Sequence, residues 1–230
     1  MLTDRNTADV WKKRHQLFVR LYRGREDRVG MRKEGTYVPL EGGLHFERFM
    51  EHMELTNTYA LYLMDDEGRV SFSLFDLDVF PRKQEWDVLL EKFALEREKA
   101  RKVMDTLSGI GITEENILVE FPTVGYHLVL FFSEPLSAAI VKKFMHMVLE
   151  KSGLSTTPFY PRNIEKGTYG DLVQIPFRMN QNSGRRSNLV RDLNAFDPAS
   201  YNPEPDFLPL ENVKPVKSSL IAQVVDNALG

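Results

Sequence analysis

The chain has 230 residues, of which 42% are hydrophobic and 27% are charged, and its formal net charge is −3. This is the composition of an ordinary globular protein with enough apolar side chains for a sizeable core. The absence of cysteine excludes disulfides, a thiol nucleophile and cysteine-ligated zinc or iron–sulfur sites within the chain. There is no run of about 18 apolar residues and no signal-peptide pattern, so we expect no membrane association and a cytoplasmic location.

The first part of the chain predicts two helices and several extended segments. Apolar side chains at helical spacing predict a helix over residues 8–23, followed by Gly24 as a plausible cap. The charged segment 23–32 departs from that spacing and predicts a turn and then an extended stretch. The next predicted elements are a short helix at 46–53, a strand at 59–64 and a hairpin turn at Asp65–Gly68.

Asp76 and Asp78 end a short apolar run, Val70–Phe80, that predicts a buried strand. Residues two apart in a strand point to the same face, so the two carboxylates project side by side. Close carboxylates raise one another's pKa unless a cation lies between them, and Mg²⁺ or Mn²⁺ suits such oxygen ligands. The pair therefore indicates metal-dependent chemistry on a nucleotide. The alternative interpretation is a strand that ends in an ordinary polar turn.

The second part of the chain alternates helices and strands. Its predicted elements are a helix at 84–107, hairpin strands at 117–121 and 127–132, a helix from Ser137 to about Lys151, strands at 172–177 and 188–190, and an amphipathic segment at 218–229. Helices and strands alternate, but hairpins intrude. The pattern therefore predicts an α+β fold, in which a mixed β-sheet carries flanking helices.

Basic residues are clustered although the net charge is negative. Residues 12–33 contain nine Lys or Arg and two acids, and residues 178–191 contain four Arg and no acid. Local basic patches, rather than the overall charge, indicate where phosphates bind. The alternative is a solvated helix face, which is the simpler interpretation for residues 12–20.

Four motifs stand in a fixed order: Arg23–Asp27, Phe75–Asp78, Gly125–His127, and Leu172–Pro176 followed by Gly184–Asp192. In this order they resemble the archaeo-eukaryotic primase superfamily, and within it the bacterial primase-polymerases associated with CRISPR and TOTE conflict systems. The resemblance covers about residues 15–195. It implies a primase-polymerase catalytic core with an RRM-like palm in residues 1–197. Residues 198–230 would form a Pro-rich acidic extension with a short amphipathic helix.

The resemblance also implies a role for each matching residue. The catalytic acids that hold two divalent metal ions, Mg²⁺ or Mn²⁺, would be Asp76, Asp78 and Asp192. The nucleotide-binding residues would be His127, Gln174, Arg185, Arg186 and Ser187. The contacts to nucleic acid or phosphate would be Arg23, Arg25 and Arg32. The implied partners are a single-stranded DNA template, NTP or dNTP, and CRISPR adaptation or other defence proteins.

Two positions depart from the family pattern. The hairpin before His127 usually begins Ser-Gly-x-Gly but contains Pro122–Gly125 here, and Gln174 occupies a place where Lys is common. Both changes could weaken nucleotide binding or alter substrate choice. They slightly favour an alternative function, a catalytically inactive nucleotide- or nucleic-acid-binding module of the same fold.

A metal-dependent phosphodiesterase is a further alternative, although the paired arginines would then lack a purpose. The sequence leaves open whether ribo- or deoxyribonucleotides are preferred, with Tyr126, Tyr160 and Tyr169 as candidate sugar contacts. It also leaves open whether the protein primes or only extends, and whether the chain is part of a longer protein.

Overall fold

A computed structural model describes residues 5–80, 85–165, 168–181 and 183–228. Within these ranges the helices are α1 (Arg5–Leu21), α2 (Phe46–Met53), α3 (Trp86–Ser108), α4 (Ala138–Lys151), α5 (Leu208–Asn212) and α6 (Ser218–Asn227), with a 3₁₀ turn at Glu114–Asn116. The strands are β1 (Arg28–Lys33), β2 (Thr36–Glu41), β3 (Tyr59–Tyr62), β4 (Arg69–Asp78), β5 (Ile117–Phe121), β6 (Gly125–Ser137), β7 (Phe159–Tyr160), β8 (Leu172–Gln174), β9 (Met179–Asn180), β10 (Arg185–Arg186) and β11 (Asn188–Val190). The predicted α+β class is confirmed.

The strands form two larger sheets and a small ribbon. One sheet has the order β2-β1-β3-β8, the other has the order β11-β5-β6-β4-β7, and β9 pairs with β10. The turn at Asp65–Gly68 exists, because the Gly68 N–H donates to the Asp65 carbonyl at 3.1 Å. The predicted hairpin is nevertheless wrong, since β3 and β4, which flank this turn, belong to different sheets. A tight turn in the sequence does not determine whether the flanking strands pair with each other.

Strand β4 has a paired neighbour on both of its edges. It pairs antiparallel with β6 over most of its length and with β7 at Leu74 and Phe75. Every residue of β4 from Phe72 to Asp78 is buried, and Ser71, which precedes them, is half-buried. An apolar run without strict alternation is expected for a strand that is covered on both faces.

Aromatic side chains cover the two faces of the five-stranded sheet. On one face, Tyr22, which directly follows α1, packs edge-on against Phe72 and Phe131, with ring centroids 5.1 Å and 4.9 Å away. On the other face, Phe93 of α3 packs against Phe121 and Tyr126. The face that Tyr22 contacts also faces β8 of the other sheet, and a cleft lies between the two sheets.

Element boundaries agree with prediction to within a few residues, with three exceptions. Strand β6 continues to Ser137, which was expected to cap α4; Ser137 occupies that position but makes no capping hydrogen bond through its side chain. Strand β8 ends at Gln174 rather than at Phe177. Gln84, the predicted start of the long helix, lies outside the described residues.

The segment after residue 197 packs onto the same body. Phe207, Leu210, Val216 and Ile221 are buried, and Val216 forms a parallel bridge with Phe132 of β6. Within the described ranges, no helix is both long and apolar enough to cross a bilayer.

Candidate active site between the two sheets

Asp76 and Asp78 lie on one face of β4, as the spacing predicts. Asp76 is paired with His127 on the neighbouring strand, and Asp78 is paired with Gly125. A Cβ atom at Gly125 would lie 2.2 Å from the Leu77 carbonyl oxygen and 2.6 Å from the Asp78 Cα. Only glycine therefore allows the two strands to approach this closely. The glycine two residues before His127 thus fixes the register that brings the histidine beside the acids.

His127 is positioned by a third carboxylate. Its Nδ1–H donates to Glu120 Oε2 at 2.8 Å, and its Nε2 lies 3.8 Å from Oδ1 of both Asp76 and Asp78. Burial disfavours the imidazolium, but the negative charges of Glu120, Asp76 and Asp78 outweigh burial and raise the pKa of His127 to about 9. The ring is therefore protonated at neutral pH unless another cation takes its place among the acids.

A narrow cleft connects these groups to the other sheet. Its lining includes Asp76, Asp78, His127, Tyr160, Gln174 and Arg178. Its volume is about 130 Å³, below the range of about 300–1,000 Å³ that is typical of pockets enclosing a whole ligand. The cleft has room for a metal ion and phosphate groups, and a base and sugar would lie outside it.

The acids and the histidine fit a divalent cation. One ligand atom from each of Asp76, Asp78 and His127 lies within 4.8 Å of the others. Two carboxylate oxygens and an imidazole nitrogen form a donor set that hard or borderline divalent ions accept. Glu120 behind the ring completes the carboxylate–histidine arrangement that commonly orients a metal-binding imidazole. This group could therefore bind a metal.

The predicted third acid is not part of this group. Asp192 is exposed, and its Oδ1 accepts the backbone N–H of Asn194 at 2.8 Å. It follows β11, which is separated from β4 by β5 and β6, and three strand spacings amount to roughly 14 Å. Asp192 instead lines a larger cavity of about 560 Å³ between Asn188 and Asp206. Among the described residues, the group that could hold a metal is therefore Asp76, Asp78 and His127, and the metal-binding role expected for Asp192 stays a prediction.

The Gly184–Ser187 turn does not face the cleft as a cationic clamp. The Arg185 guanidinium lies over the Trp86 ring, 3.9 Å from its centroid. Arg186 is half-buried and donates to the carbonyls of Phe177 and Met53 at 2.9 Å and 2.6 Å. Both guanidiniums are thus engaged by other groups of the protein. The sequence shows that the two residues are charged but does not show which groups they contact.

Ser187 and Gln174 have different surroundings. Ser187 is fully buried, and its Oγ accepts the Arg178 backbone N–H at 3.2 Å, so it supports the site from behind. Gln174 lines the cleft, as a nucleotide contact would require.

Of the three arginines near the N-terminus, Arg23 and Arg25 line one cavity, and Arg32 lies elsewhere. Arg23 is exposed and pairs with Glu26, and Arg25 binds both Asp27 and Asp66. Their positive charge is largely balanced by these neighbours. Arg32 donates to the Gln181 side chain at 2.8 Å and therefore lies beside the β9–β10 ribbon.

Sequence reasoning missed Glu120 and did not select Arg178. Glu120 is the single charged residue in the strand Ile117–Phe121, and the observed register of the hairpin places it opposite His127. Arg178 belongs to a basic segment that had been noticed, but nothing local distinguishes it from its neighbours. Of the tyrosines left open, Tyr160 lines the cleft, whereas Tyr126 is buried on the opposite face and Tyr169 packs against Tyr62 with its ring tilted.

Comparisons with known proteins identify the family of this chain. The solved AEP domain of the primase-polymerase (PrimPol) from cyanophage S-2L is 12% identical, and the match covers 88% of this chain and 98% of that chain with a TM-score of 0.44. None of the curated proteins matches the chain. The family described as "TOTE conflict system, Archaeo-Eukaryotic Primase domain" matches residues 42–224, which is most of the sequence. The chain therefore belongs to the archaeo-eukaryotic primase domain family of TOTE conflict systems.

Proposed function

We propose that this protein is a template-directed nucleotidyltransferase, a primase-polymerase that forms phosphodiester bonds from nucleoside triphosphates on single-stranded DNA. The observation that carries the proposal is the presence of Asp76, Asp78 and His127 in one cleft with Arg178. Nucleotidyl transfer requires little covalent help from the protein. It requires neutralisation of phosphate charge and in-line positioning of the reacting groups, which such residues provide.

Each residue of the cleft has a distinct role in this proposal. Asp76 and Asp78 would hold Mg²⁺ or Mn²⁺, which supplies Lewis-acid neutralisation of the phosphates when it is bound. A second ion would share these carboxylates with the substrate, since Asp192 lies elsewhere. His127 would complete the ligand set or donate Nε2–H to a phosphate oxygen. Glu120 would keep a proton on Nδ1 and so fix the orientation of the ring.

An inactive nucleotide-binding module is the second candidate, and Gln174 is the observation that favours it. The cleft contains a neutral amide there, at a position where related proteins commonly carry a lysine. Against this candidate, Asp76, Asp78 and His127 remain together as a potential metal site. A phosphodiesterase would use the same acids, but the cation Arg178 beside them suits a polyphosphate substrate better than a single diester.

The biological context is part of the proposal. Membership in a family of conflict-system primases favours a role in defence, with other defence proteins or a CRISPR adaptation module as partners. The base and sugar would lie outside the small cleft, so the template would run along the outer surface of the two sheets.

The decisive experiment offers the protein a single-stranded template, with and without a primer, together with labelled NTP or dNTP and Mn²⁺. Elongated or newly made strands would support polymerase activity. Shortened templates would indicate a phosphodiesterase, and triphosphate binding without any product would indicate a binding module. Asp76→Ala is the control for a contaminating polymerase, because it should abolish product formation.

A further inference from the structure

Arg178 is a buried cation whose side chain forms no hydrogen bond or ion pair with any residue that the structure describes. Its exposure is 7%, and it lines the same cleft as Asp76, Asp78 and His127. Its Nε has no hydrogen-bond partner, and among the described residues its guanidinium forms no hydrogen bond or ion pair. Burial alone would raise the pKa of the Glu120 carboxyl. His127 and, to a smaller extent, the positive charge of Arg178 outweigh burial and lower that pKa.

Such an arrangement is costly for the folded protein. Buried charges are normally paired, and a buried donor without an acceptor carries a desolvation penalty. Arg186, eight residues along in the paired ribbon region, shows the ordinary solution, because two backbone carbonyls accept its protons. Residues that break this rule are characteristic of functional sites, where the missing partner is a ligand.

The backbone around Arg178 is held in place by several contacts. Phe177, the residue before it, is fully buried at φ +71°, a left-handed conformation that is strained for a bulky side chain. The Arg178 N–H donates to Ser187 Oγ, and the Ser187 N–H donates to the Arg178 carbonyl at 2.8 Å. The Arg186 Nε–H donates to the Phe177 carbonyl. The Gly-Arg-Arg-Ser turn therefore acts as a brace on the Phe177–Arg178 segment.

We propose that Arg178 binds the triphosphate of the nucleotide, and that Arg186 and Ser187 are positioning residues that hold Arg178 at the cleft. This inference deepens the proposed function and rests on it for the identity of the substrate. A guanidinium fork matches phosphate oxygens bidentately, and a polyphosphate would provide the acceptors that Arg178 lacks. The charge also complements the acids, because a metal held by Asp76 and Asp78 would meet the same phosphates from the opposite side of the cleft.

The rival explanation is structural, namely that Arg178 is present to balance the charge of Glu120. The two explanations differ in what removal of the guanidinium does to stability. If Arg178 binds a ligand, Arg178→Met keeps the apolar stem, removes an unsatisfied charge and should leave the unliganded melting temperature unchanged or raised. If Arg178 serves Glu120, the same variant should melt at a lower temperature.

The test measures binding of ATP, inorganic tripolyphosphate and adenosine to the full chain by calorimetry with Mn²⁺ present. Arg178→Met should weaken the binding of ATP and tripolyphosphate roughly 10- to 100-fold, the range for loss of charge-assisted hydrogen bonds, and should not change the binding of adenosine. The affinity of Arg178→Lys for ATP and tripolyphosphate should lie between those of the wild type and Arg178→Met. The matched control is Arg185→Met, which removes a guanidinium stacked on Trp86 and should bind ATP as the wild type does.

Ser187→Ala tests the positioning role. It should raise KM for the triphosphate more than it lowers kcat, because Ser187 contacts the Arg178 backbone and Glu120 but none of the expected metal ligands. In an Arg178→Met background, Ser187→Ala should have a much smaller effect on ATP binding, since most of its effect on binding passes through Arg178.

The outcomes separate this inference from the proposed function. Wild-type ATP affinity in Arg178→Met, whatever the melting temperature of that variant, or a wild-type protein that binds neither ATP nor tripolyphosphate would overturn the role of Arg178. Loss of ATP binding in Arg178→Met would support it even if the wild type incorporates no nucleotide, a result that contradicts the polymerase function alone. Conversely, strand synthesis that is unaffected by Arg178→Met would support the polymerase function and overturn the inference.

Discussion

The cleft and the Gly184–Ser187 turn both carry charged residues that resemble family motifs, yet the structure uses them differently. In the cleft, Asp76, Asp78 and His127 converge from two neighbouring strands. In the turn, Arg186 donates to two backbone carbonyls and Arg185 stacks on an aromatic ring. The first region directs its polar groups towards a space that a ligand can enter, and the second directs them into the protein.

This difference shows that the availability of a charge, rather than its position in a motif, determines whether it can bind substrate. The same contrast appears in two buried histidines. His127 in the cleft faces three carboxylates, and its pKa is raised to about 9. His52 behind the turn donates from Nε2 to the Pro176 carbonyl and accepts the Tyr59 N–H at Nδ1. Burial, reinforced by the positive charges of Arg186 and Arg178, lowers the pKa of His52 to about 4 despite that hydrogen bond.

The largest expected effect comes from removing the acids of the cleft. Asp76→Ala and Asp78→Ala should each reduce nucleotide incorporation by roughly 10³-fold or more, because a bound metal contributes several kcal/mol to the transition state. Circular dichroism should show that both variants fold. Asp192→Asn is the matched control and should retain activity. A loss of incorporation equal to that of Asp76→Ala would mean that Asp192 takes part in catalysis and that the active site extends beyond the cleft.

The next effect concerns the pH dependence of stability through His52. Because its folded pKa of about 4 lies below the ordinary value of 6.5, the unfolded chain binds the extra proton as the pH falls between these values. The contribution of His52 is complete above 6.5 and should decline by about 3 kcal/mol as the pH falls through 4. Guanidinium unfolding of the wild type and of His52→Gln between pH 7.5 and pH 4 measures this contribution. The carboxylates titrate in both proteins, so the difference between the two free energies of unfolding reports on His52.

His127 should act in the opposite direction. Its raised pKa adds stability that is complete below 6.5 and is lost as the pH rises through about 9. For His52, the contradicting outcome is an equal loss of stability at acid pH in the wild type and in His52→Gln. That outcome would mean that His52 is not held neutral in the folded protein.

A smaller effect distinguishes the two arginines of the turn. Arg186→Met should lower the free energy of unfolding by about 2 kcal/mol, because two buried carbonyls lose a charged donor. Arg185→Met should cost only about 0.5–1 kcal/mol, the value of an exposed or half-exposed cation–π contact. Chemical denaturation of the two variants measures the difference. Equal costs would mean that the turn does not brace the Phe177–Arg178 segment.

The smallest effect concerns Glu120 behind His127. Glu120→Gln should lower the pKa of His127, because it removes the carboxylate that contributes most to raising it. Activity should fall roughly tenfold, as is typical when a residue that orients a metal-binding histidine is lost. An NMR titration of the His127 ring follows the pKa directly. A pKa that stays near 9 would mean that Asp76 and Asp78 alone sustain the imidazolium.

The sequence predicted the elements and the centre of the site better than its periphery. Hydrophobic periodicity located the helices, because burial repeats with the helical period, and a short continuous apolar run located the strand that ends in Asp76 and Asp78. The turn at Asp65–Gly68 misled the strand pairing, since local turn chemistry does not encode which sheet a strand joins. Asp192 and Arg186 were assigned by motif order alone. The distance of Asp192 from the cleft and the hydrogen bonds of Arg186 to backbone carbonyls depend on tertiary contacts, which a short motif does not show.

The placement of β4 between two paired strands has a consequence for hydrogen exchange. The Asp76 N–H donates to the Pro158 carbonyl at 2.9 Å, and the other edge of the strand is paired with β6 through Asp78. Amides held in this way exchange with solvent only when the whole domain opens. We therefore expect the backbone amides next to the acids to be among the slowest to exchange. They would meet an incoming metal on a support that does not have to become ordered first.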